Sequence, residues 1–276
     1  MNLNIQSQTN NERRVTVLKS ITTTLFLSIM LIMMPSFNSS TADLTDEDEL
    51  ILVVGASGRT GSYVIKYLKE EDRNFIAMTS NKERATEKFG EKYNWIEADV
   101  KKSESLDSIM IGVTKIISGL GTNEFEGPNS PEYIDYGGTK NLINAAEKAG
   151  TVTQFIQMSS SGITHKDNPL NRFGNVLVWK LKAEDYIRSS SIVHTIIRAG
   201  GLTNEESAFK GVRMQQGDSV AVNGGMTSRG NLAAICIEAL SNQNAKNKTF
   251  EAFDDETIKP DTWQNSFSTL LSDEKQ

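Results

Sequence analysis

The feature that most constrains this chain is the turn Gly55-Ala56-Ser57-Gly58-Arg59-Thr60-Gly61, which separates a short apolar run from a helical pattern. The run, residues 50–54, is typical of a buried strand, and residues 60–70 have the spacing of an amphipathic helix. A Gly-x-x-Gly-x-x-Gly turn in this context is typical of a dinucleotide-binding site. The sequence therefore predicts a strand, a tight turn and a helix arranged around a pyrophosphate.

Each glycine of this turn has a distinct physical task. Gly55 permits the tight turn, and Gly58 lets the backbone approach a pyrophosphate without a Cβ clash. Gly61 permits close packing of the helix on the sheet, and the free N–H groups at the helix N-terminus attract the anion. The alternative interpretation is a glycine turn that merely connects two elements. The ligands predicted in the turn are Gly55, Ser57, Gly58, Arg59, Thr60 and Gly61.

From residue 50 onward, short apolar runs alternate with helical periods, which predicts βα units on a parallel sheet. The predicted strands are residues 50–54, 74–79, 94–97, 114–118, 154–158 and 192–198. The predicted helices between them are residues 60–70, 82–89, 105–111, 131–148 and 171–188. A short strand at 219–222, a helix at 229–240, a strand at 249–253 and a last helix follow. The expected fold class is α/β, a Rossmann-type doubly wound parallel sheet with a small C-terminal lobe, over residues 50–276.

The residues after the second strand indicate which dinucleotide binds. A site that prefers NAD(H) usually has Asp or Glu there to bind the ribose hydroxyls. This chain instead has Thr79, Ser80 and Asn81, followed by Lys82 and Arg84, with Arg59 in the turn. Hydroxyls, an amide and cations suit a 2′-phosphate, so NADP(H) is favoured and NAD(H) is the alternative. The alternative for Lys82 and Arg84 is that they are ordinary solvated charges.

The ends of the third and fourth strands complete the predicted nucleotide site. Asp99-Val100 follows the third strand, where a carboxylate can accept from the adenine amino group. Gly119 follows the fourth strand, where flat backbone passes close to the ribose. Both assignments depend on the Rossmann interpretation.

Several motifs in order resemble the atypical short-chain dehydrogenase/reductases with NmrA-like NAD(P)-binding domains, in particular the small plant, algal and cyanobacterial members. The similarity extends from about residue 50 to the C-terminus. The motifs are the glycine turn, Asp135-Tyr136-Gly137-Gly138-Thr139-Lys140-Asn141, residues 175–184 (NVLVWKLKAE) and residues 195–202 (TIIRAGGL). The resemblance implies a cofactor site along the C-terminal ends of the strands.

Active short-chain reductases use a Tyr-x-x-x-Lys pair together with Ser or Thr at the end of strand five. The resemblance maps the lysine to Lys180, so the tyrosine position is Val176, which cannot transfer a proton. Lys180 is expected to bind the nicotinamide ribose, the alternative being a surface lysine on an amphipathic helix. Ser159 and Ser160 supply hydroxyls at the end of strand five and are the other catalytic candidates.

Two functions follow from this pattern. The first is an NADPH-dependent oxidoreductase of unknown substrate that lacks the usual tyrosine. Hydride delivery to an activated double bond or a quinone-like acceptor is then favoured, because the proton can come from water. The second is a non-catalytic NADP(H)-binding redox sensor or an assembly and scaffold factor. The expected partners are a dinucleotide and either a small molecule or a protein.

Composition excludes several other function classes. The net charge of −6 and the pI of about 5.2 disfavour a nucleic-acid-binding surface. The single cysteine, Cys236, excludes an intrachain disulfide, and two isolated histidines do not indicate a metal centre. No metal site is predicted, and Cys236 and His194 are expected to be structural.

The first 42 residues have the composition of a signal, targeting or membrane-anchor segment. A basic start precedes the apolar stretch 21–34, and small polar residues follow. The apolar stretch is short for a membrane-spanning helix, which needs about 20 residues. Residues 43–49 are predicted to be a linker. Together with this segment, the resemblance to plant, algal and cyanobacterial proteins favours a plastid location. A membrane anchor through residues 21–36 or a cytoplasmic location are the alternatives.

Overall fold

The computed structural model describes residues 49–206, 210–218 and 225–274, all of which belong to the second of two units of the chain, residues 44–276. The predicted segment 1–42 and the predicted strand 219–222 lie outside the described residues. Within the described part, no helix has both the length and the apolar character needed to cross a membrane.

Eight strands form one sheet in the order β3-β2-β1-β4-β5-β6-β10-β8. All neighbouring pairs are parallel except β10 and β8, which are antiparallel. A separate two-stranded sheet pairs β7 with β9. The strands are β1 Ile51–Val54, β2 Phe75–Thr79, β3 Trp95–Glu97, β4 Lys115–Ser118, β5 Gln154–Ser160, β6 His194–Ala199, β7 Gly201–Thr203, β8 Gly211–Gln215, β9 Met226–Ser228 and β10 Lys248–Asp255.

Within the described residues, six α-helices lie on the two faces of the sheet. They are α1 Gly61–Glu70, α2 Lys82–Phe89, α3 Ser103–Asp107, α4 Thr139–Ala149, α5 Val176–Ser189 and α6 Arg229–Ser241. A π-helix, Glu132–Gly138, leads directly into α4. Short 3₁₀-helices are Gly127–Asn129, Pro169–Arg172, Gln243–Ala245 and Trp263–Thr269.

The alternation of side chains along the strands produces two apolar cores. Ile51 and Val53 of β1 pack on one face with α1 and α6, whereas Leu52 and Val54 pack on the other face with α3, α4 and α5. All four residues of β1 are buried, as expected for a strand covered on both faces. The strand order, with β1 beside β4, confirms the predicted doubly wound Rossmann-type sheet.

Several predicted helices differ from the observed ones. The predicted helix 105–111 is observed as α3, Ser103–Asp107, which begins and ends earlier. The predicted helix 131–148 is π-helical over residues 132–138. The predicted helix 171–188 begins only at Val176, because Gly174 and Asn175 have left-handed backbones with φ of +60° and +55°. A Cβ on Gly174 would lie 2.4 Å from the carbonyl oxygen of Phe125. Residue 174 must therefore be glycine for the backbone to pass this close to Phe125 before α5 begins.

The C-terminal part of the chain adds β10 and β8 to the main sheet, and the small lobe is the β7–β9 pair. The predicted last helix is the 3₁₀-helix Trp263–Thr269, whose Phe267 packs edge-on against Phe250 at 5.6 Å. His194 is buried and its Nε2 lies 2.9 Å from Asp273, and Cys236 is buried, in agreement with the structural roles expected for both residues.

Glu49 belongs to the folded domain, although the sequence pattern places it in the linker. Its buried carboxylate forms ion pairs with Lys115 and Arg73. Burial would raise the pKa of Glu49, but hydrogen bonds from Lys115 and Arg73 outweigh that effect and lower it. Glu49 is therefore part of the folded structure.

Candidate functional site

A cleft of about 410 Å³ follows the C-terminal ends of β1 to β4. Clefts in open α/β sheets hold ligands at this edge, where the strand order reverses. Eight predicted cofactor ligands line it, namely Gly55, Ser57, Gly58, Thr79, Ser80, Asp99, Val100 and Gly119. The predicted residues Arg59, Thr60, Gly61, Ser159, Ser160 and Lys180 are not among its described lining residues.

The glycine turn forms the floor of the cleft. Gly55 has φ +74°, and a Cβ there would lie 3.0 Å from the carbonyl oxygen of Gly119. A Cβ on Gly61 would lie only 2.2 Å from the carbonyl oxygen of Gly55. Within the described part of the chain, the backbone N–H groups of Arg59 and Thr60 have no acceptor. A flat, Cβ-free surface with free N–H donors at the start of α1 fits a pyrophosphate.

The end of β2 provides the polar groups beside the predicted 2′-phosphate position. The hydroxyls of Ser57 and Thr79 lie 2.9 Å apart. Asn81 caps α2 by accepting a hydrogen bond from the backbone N–H of Arg84 at 2.8 Å. The backbone N–H of Lys82 donates to Oε2 of Glu97 at 2.8 Å. Glu97, at the end of β3, therefore places a carboxylate at the start of α2, although the end of β2 itself has no acidic residue.

The residues that follow β3 form another wall of the cleft. Oδ1 of Asp99 accepts a hydrogen bond from the backbone N–H of Lys101 at 3.0 Å, which orients this carboxylate. Nζ of Lys101 donates to Oδ1 of Asn129 at 2.5 Å, so the 3₁₀ turn Gly127–Asn129 is tied to the cleft. Lys101 and Asn129 both line the cleft.

A buried ion pair lies beside the Gly121 end of the cleft. Nζ of Lys180 is 2.6 Å from Oδ1 of Asp135 and 3.5 Å from the carbonyl oxygen of Leu120. The Asp135 side chain is 1% exposed and that of Lys180 is 19% exposed. A Cβ on Gly121, which lines the cleft, would lie 3.6 Å from Nζ of Lys180. Lys180 is thus a largely buried residue next to the cleft and not a surface lysine.

Two further polar atoms are buried near the C-terminal ends of β4 and β5. Oγ of Ser118 and Oε1 of Gln157 have no hydrogen-bond partner among the described residues, and the two residues are register neighbours. Oδ1 of Asp135 is paired with Lys180, whereas its Oδ2 has no hydrogen-bond partner among the described residues. Buried polar groups are normally satisfied, so these atoms favour a polar ligand or water in this region.

Ser159 and Ser160 occupy opposite faces of β5. Oγ of Ser159 donates to Oε1 of Glu184 at 2.6 Å, and Oγ of Ser160 donates to the carbonyl oxygen of Ser161 at 3.3 Å. Glu184 also accepts hydrogen bonds from the buried guanidinium of Arg198. The Ser159 hydroxyl is therefore engaged in a buried charge network. A catalytic role for either serine stays a prediction.

Arg59 is exposed and lies close to the start of α6. Arg229, the first residue of α6, is buried and donates from Nη1 to Oδ1 of Asn204 at 2.7 Å. Burial lowers the pKa of Arg229, and the positive charge of Arg59 adds to this effect. The tyrosine hydroxyl of Tyr63, in the first turn of α1, donates to the carbonyl oxygen of Asn204 at 3.0 Å. This arrangement places Arg59 on the α6 side of the turn.

Among the described residues that line the cleft, none is a tyrosine. Val176 is the first residue of α5. Tyr136 stacks on Trp179 with ring centroids 6.0 Å apart, and the hydroxyl of Tyr186 donates to Asn144 at 2.5 Å. The described residues also contain no cluster of side chains suited to a metal ion.

Sequence reasoning does not identify Asp135, Glu97, Lys101 and Asn129 as parts of the site. Asp135 belongs to one of the family motifs, but its contact with Lys180 depends on the π-helix that precedes α4. A comparison of the ends of neighbouring strands could have found Glu97, since Thr79 and Glu97 are register partners. Lys101 and Asn129 meet through a loop contact that no sequence pattern predicts.

Comparison with known proteins agrees with this geometry. Residues 55–243 match the NAD(P)H-binding family. An uncharacterized chloroplastic protein of Arabidopsis thaliana is 34% identical, and the match covers 76% of this chain and 71% of that protein. Sanguinarine reductase of Eschscholzia californica is 31% identical, with 73% of this chain and 87% of the reductase covered.

Two further proteins are similar to this chain, one over a minor part of its own length and the other over all of it. The chloroplastic protein TIC 62 of Pisum sativum is 32% identical over 63% of this chain, which is 38% of its own length. A solved structure from Bacillus halodurans, described as a NAD-dependent epimerase/dehydratase, is 28% identical with a TM-score of 0.70, and the match covers 80% of this chain and 100% of that chain. The chain therefore belongs to the NAD(P)H-binding family of atypical short-chain dehydrogenase/reductases.

Proposed function

We propose that this protein is an NADPH-dependent reductase of an activated double bond or a quinone-like acceptor. The observation that carries the proposal is the buried Lys180–Asp135 pair beside a cleft that fits a dinucleotide. A pair of opposite charges that is largely removed from water is costly unless it is well matched, so it is a candidate for function. The similarity to sanguinarine reductase supports a reductase activity.

NADP(H) is the cofactor we propose, with NAD(H) as the alternative. The glycine turn and the start of α1 hold the pyrophosphate, and Asp99 and Gly119 border the adenosine. Ser80 lines the cleft, and Asn81 and Lys82 follow it at the start of α2, where they would lie near a 2′-phosphate. No carboxylate belongs to the end of β2, although Glu97 of β3 reaches the start of α2.

The nicotinamide cofactor supplies a hydride when it is bound. Lys180 would bind the ribose next to the nicotinamide through its ammonium group, which Asp135 holds in place at 2.6 Å. The proton that completes the reduction comes from water, since Val176 has no ionisable group and no tyrosine is among the described lining residues. The acceptor gains one hydride and one proton. An unactivated carbonyl is a poor substrate because no tyrosine is among the described lining residues to donate that proton.

The test is oxidation of NADPH, followed by absorbance, with a panel of quinones and enones as acceptors. Wild-type protein is expected to turn over at least one of these classes. Lys180→Met is expected to lower kcat/KM by at least about 100-fold, the usual scale for a positioned polar group. Lys182→Met is the matched control, because Lys182 is exposed on the same helix and its ammonium lies over the Trp179 ring.

Turnover that is equal in Lys180→Met and Lys182→Met would remove Lys180 from the mechanism. No turnover of any acceptor, with NADPH still bound, would favour the second candidate, a non-catalytic NADP(H)-binding scaffold or redox sensor. The similarity to TIC 62 supports that candidate, since TIC 62 is a much longer protein that shares this region. A protein partner would then replace the small-molecule substrate.

We also propose a plastid location. The chloroplastic relatives and the targeting composition of residues 1–42 support it. Fractionation of the source cells tests this location. Recovery of the full-length, unprocessed chain from the cytosolic fraction would contradict it.

A further inference from the structure

The start of α2 receives a carboxylate from the neighbouring strand. Thr79 and Glu97 are register partners at the ends of β2 and β3, and the backbone N–H of Ala98 donates to the carbonyl oxygen of Thr79 at 3.0 Å. Register partners in parallel strands point to the same face of the sheet. The side chain of Glu97 consequently lies over the N-terminus of α2, where its Oε2 accepts from the Lys82 N–H.

Two of the N–H donors at this helix start already have acceptors. Asn81 uses its side chain to cap Arg84, and Glu97 occupies the N–H of Lys82. These donors lie immediately after Thr79 and Ser80, two residues that line the nucleotide cleft. A 2′-phosphate bound at Ser80 would seek the same donors, because free N–H groups at a helix start bind phosphate.

The charge of Glu97 is not neutralised by its surroundings. Glu97 is exposed and forms no ion pair with a described residue. A carboxylate that holds the Lys82 N–H competes with a 2′-phosphate for this donor and repels its negative charge. The same carboxylate has no such conflict with a nucleotide that carries only a 2′-hydroxyl.

We propose that Glu97 is a specificity-determining residue that weakens binding of 2′-phosphorylated nucleotides relative to their unphosphorylated counterparts. The inference rests on the proposed nucleotide site. The acidic residue that distinguishes the two nucleotides would then lie at the end of β3, whereas in sites that prefer NAD(H) it usually follows β2. Ser80, Lys82 and Arg84 then favour the phosphate while Glu97 opposes it.

The experiment measures Kd for NADPH and NADH by calorimetry in wild-type protein, Glu97→Gln and Glu83→Gln. The Glu97→Gln substitution keeps an acceptor for the Lys82 N–H but removes the charge. Glu83 is an exposed residue in the first turn of α2, so its substitution makes the same charge change next to Lys82 without touching the hydrogen bond.

We expect Glu97→Gln to raise the ratio of Kd for NADH to Kd for NADPH by about tenfold, with Kd for NADH changed by less than about twofold. Glu83→Gln is expected to move the ratio by less than about threefold. Equal changes in the two variants, or an unchanged ratio in Glu97→Gln, would overturn the role of Glu97 while the nucleotide site stands. Failure of wild-type protein to bind either nucleotide would refute the proposed function itself, and the inference with it.

Discussion

At the scale of single residues, the site depends on partners that are distant in sequence. The family motif identifies Lys180, but it does not identify Asp135 as the partner at 2.6 Å. Ser57 and Thr79 likewise meet at 2.9 Å although 22 positions separate them. The sequence indicates many of the side chains that belong to the site. It does not indicate their pairings, because these depend on the register of the sheet and on one π-helix.

The Lys180–Asp135 pair gives a prediction about stability that is separate from activity. Lys180→Met leaves the Asp135 carboxylate buried without a partner, so we expect the free energy of unfolding to fall by about 3 kcal/mol. The double variant Lys180→Met/Asp135→Asn removes both charges and is expected to recover at least half of that loss. Urea unfolding of the three proteins measures both values.

Activity should respond differently from stability in the same variants. The double variant is expected to remain as inactive as Lys180→Met, since the ammonium group is still missing. If the double variant regains turnover along with stability, the pair is structural, and its proposed role in binding the nicotinamide ribose is wrong.

At the scale of elements, the sequence predicts the strands closely but not several of the connections. The glycine turn between β1 and α1 follows directly from glycine spacing, because only Gly avoids the 2.2 Å contact at position 61. The later start of α5 is not predictable, since it results from backbone contact between Gly174 and Phe125. The strand β8 is not predicted either, because it depends on pairing with β10, a segment distant in the chain.

At the scale of the whole molecule, the sequence predicts a doubly wound sheet and the position of the nucleotide cleft along its C-terminal edge. The periodic apolar runs predict the sheet, since a parallel sheet buried on both faces needs continuous apolar strands. The position of the cleft follows from the glycine turn and from what the family resemblance implies. The boundary of the folded unit is predicted less accurately. The acidic neighbours of Glu49 indicate a linker, yet its carboxylate is buried against Arg73 and Lys115.

Because the Glu49 carboxylate is ion-paired, we expect the free energy of unfolding to depend on pH. Its pKa in the folded protein is lowered from the ordinary value of 4.5, so its contribution is present above about pH 4.5 and is lost as the pH falls through the folded pKa. We expect wild-type protein to be more stable than Glu49→Gln at pH 7, and this difference to shrink as the pH falls below 4.5. Urea unfolding at several pH values measures it.

Glu91→Gln is the matched control for this experiment, since Glu91 is exposed and forms no ion pair with a described residue. Its stability relative to wild type is expected to be constant across the same pH range. A difference between wild type and Glu49→Gln that does not depend on pH would contradict the assignment of a charged, ion-paired Glu49.

The central claim is that the cleft binds NADP(H), and a calorimetric titration of the full chain with NADPH, NADP and NADH tests it most directly. We predict a micromolar Kd for NADPH that is at least about tenfold below that for NADH, a difference of about 1.4 kcal/mol. Gly61→Ala, whose Cβ would meet the Gly55 carbonyl oxygen, should bind at least about tenfold more weakly. The absence of binding by wild-type protein to any of the three nucleotides would contradict the claim and leave the glycine turn with a structural role alone.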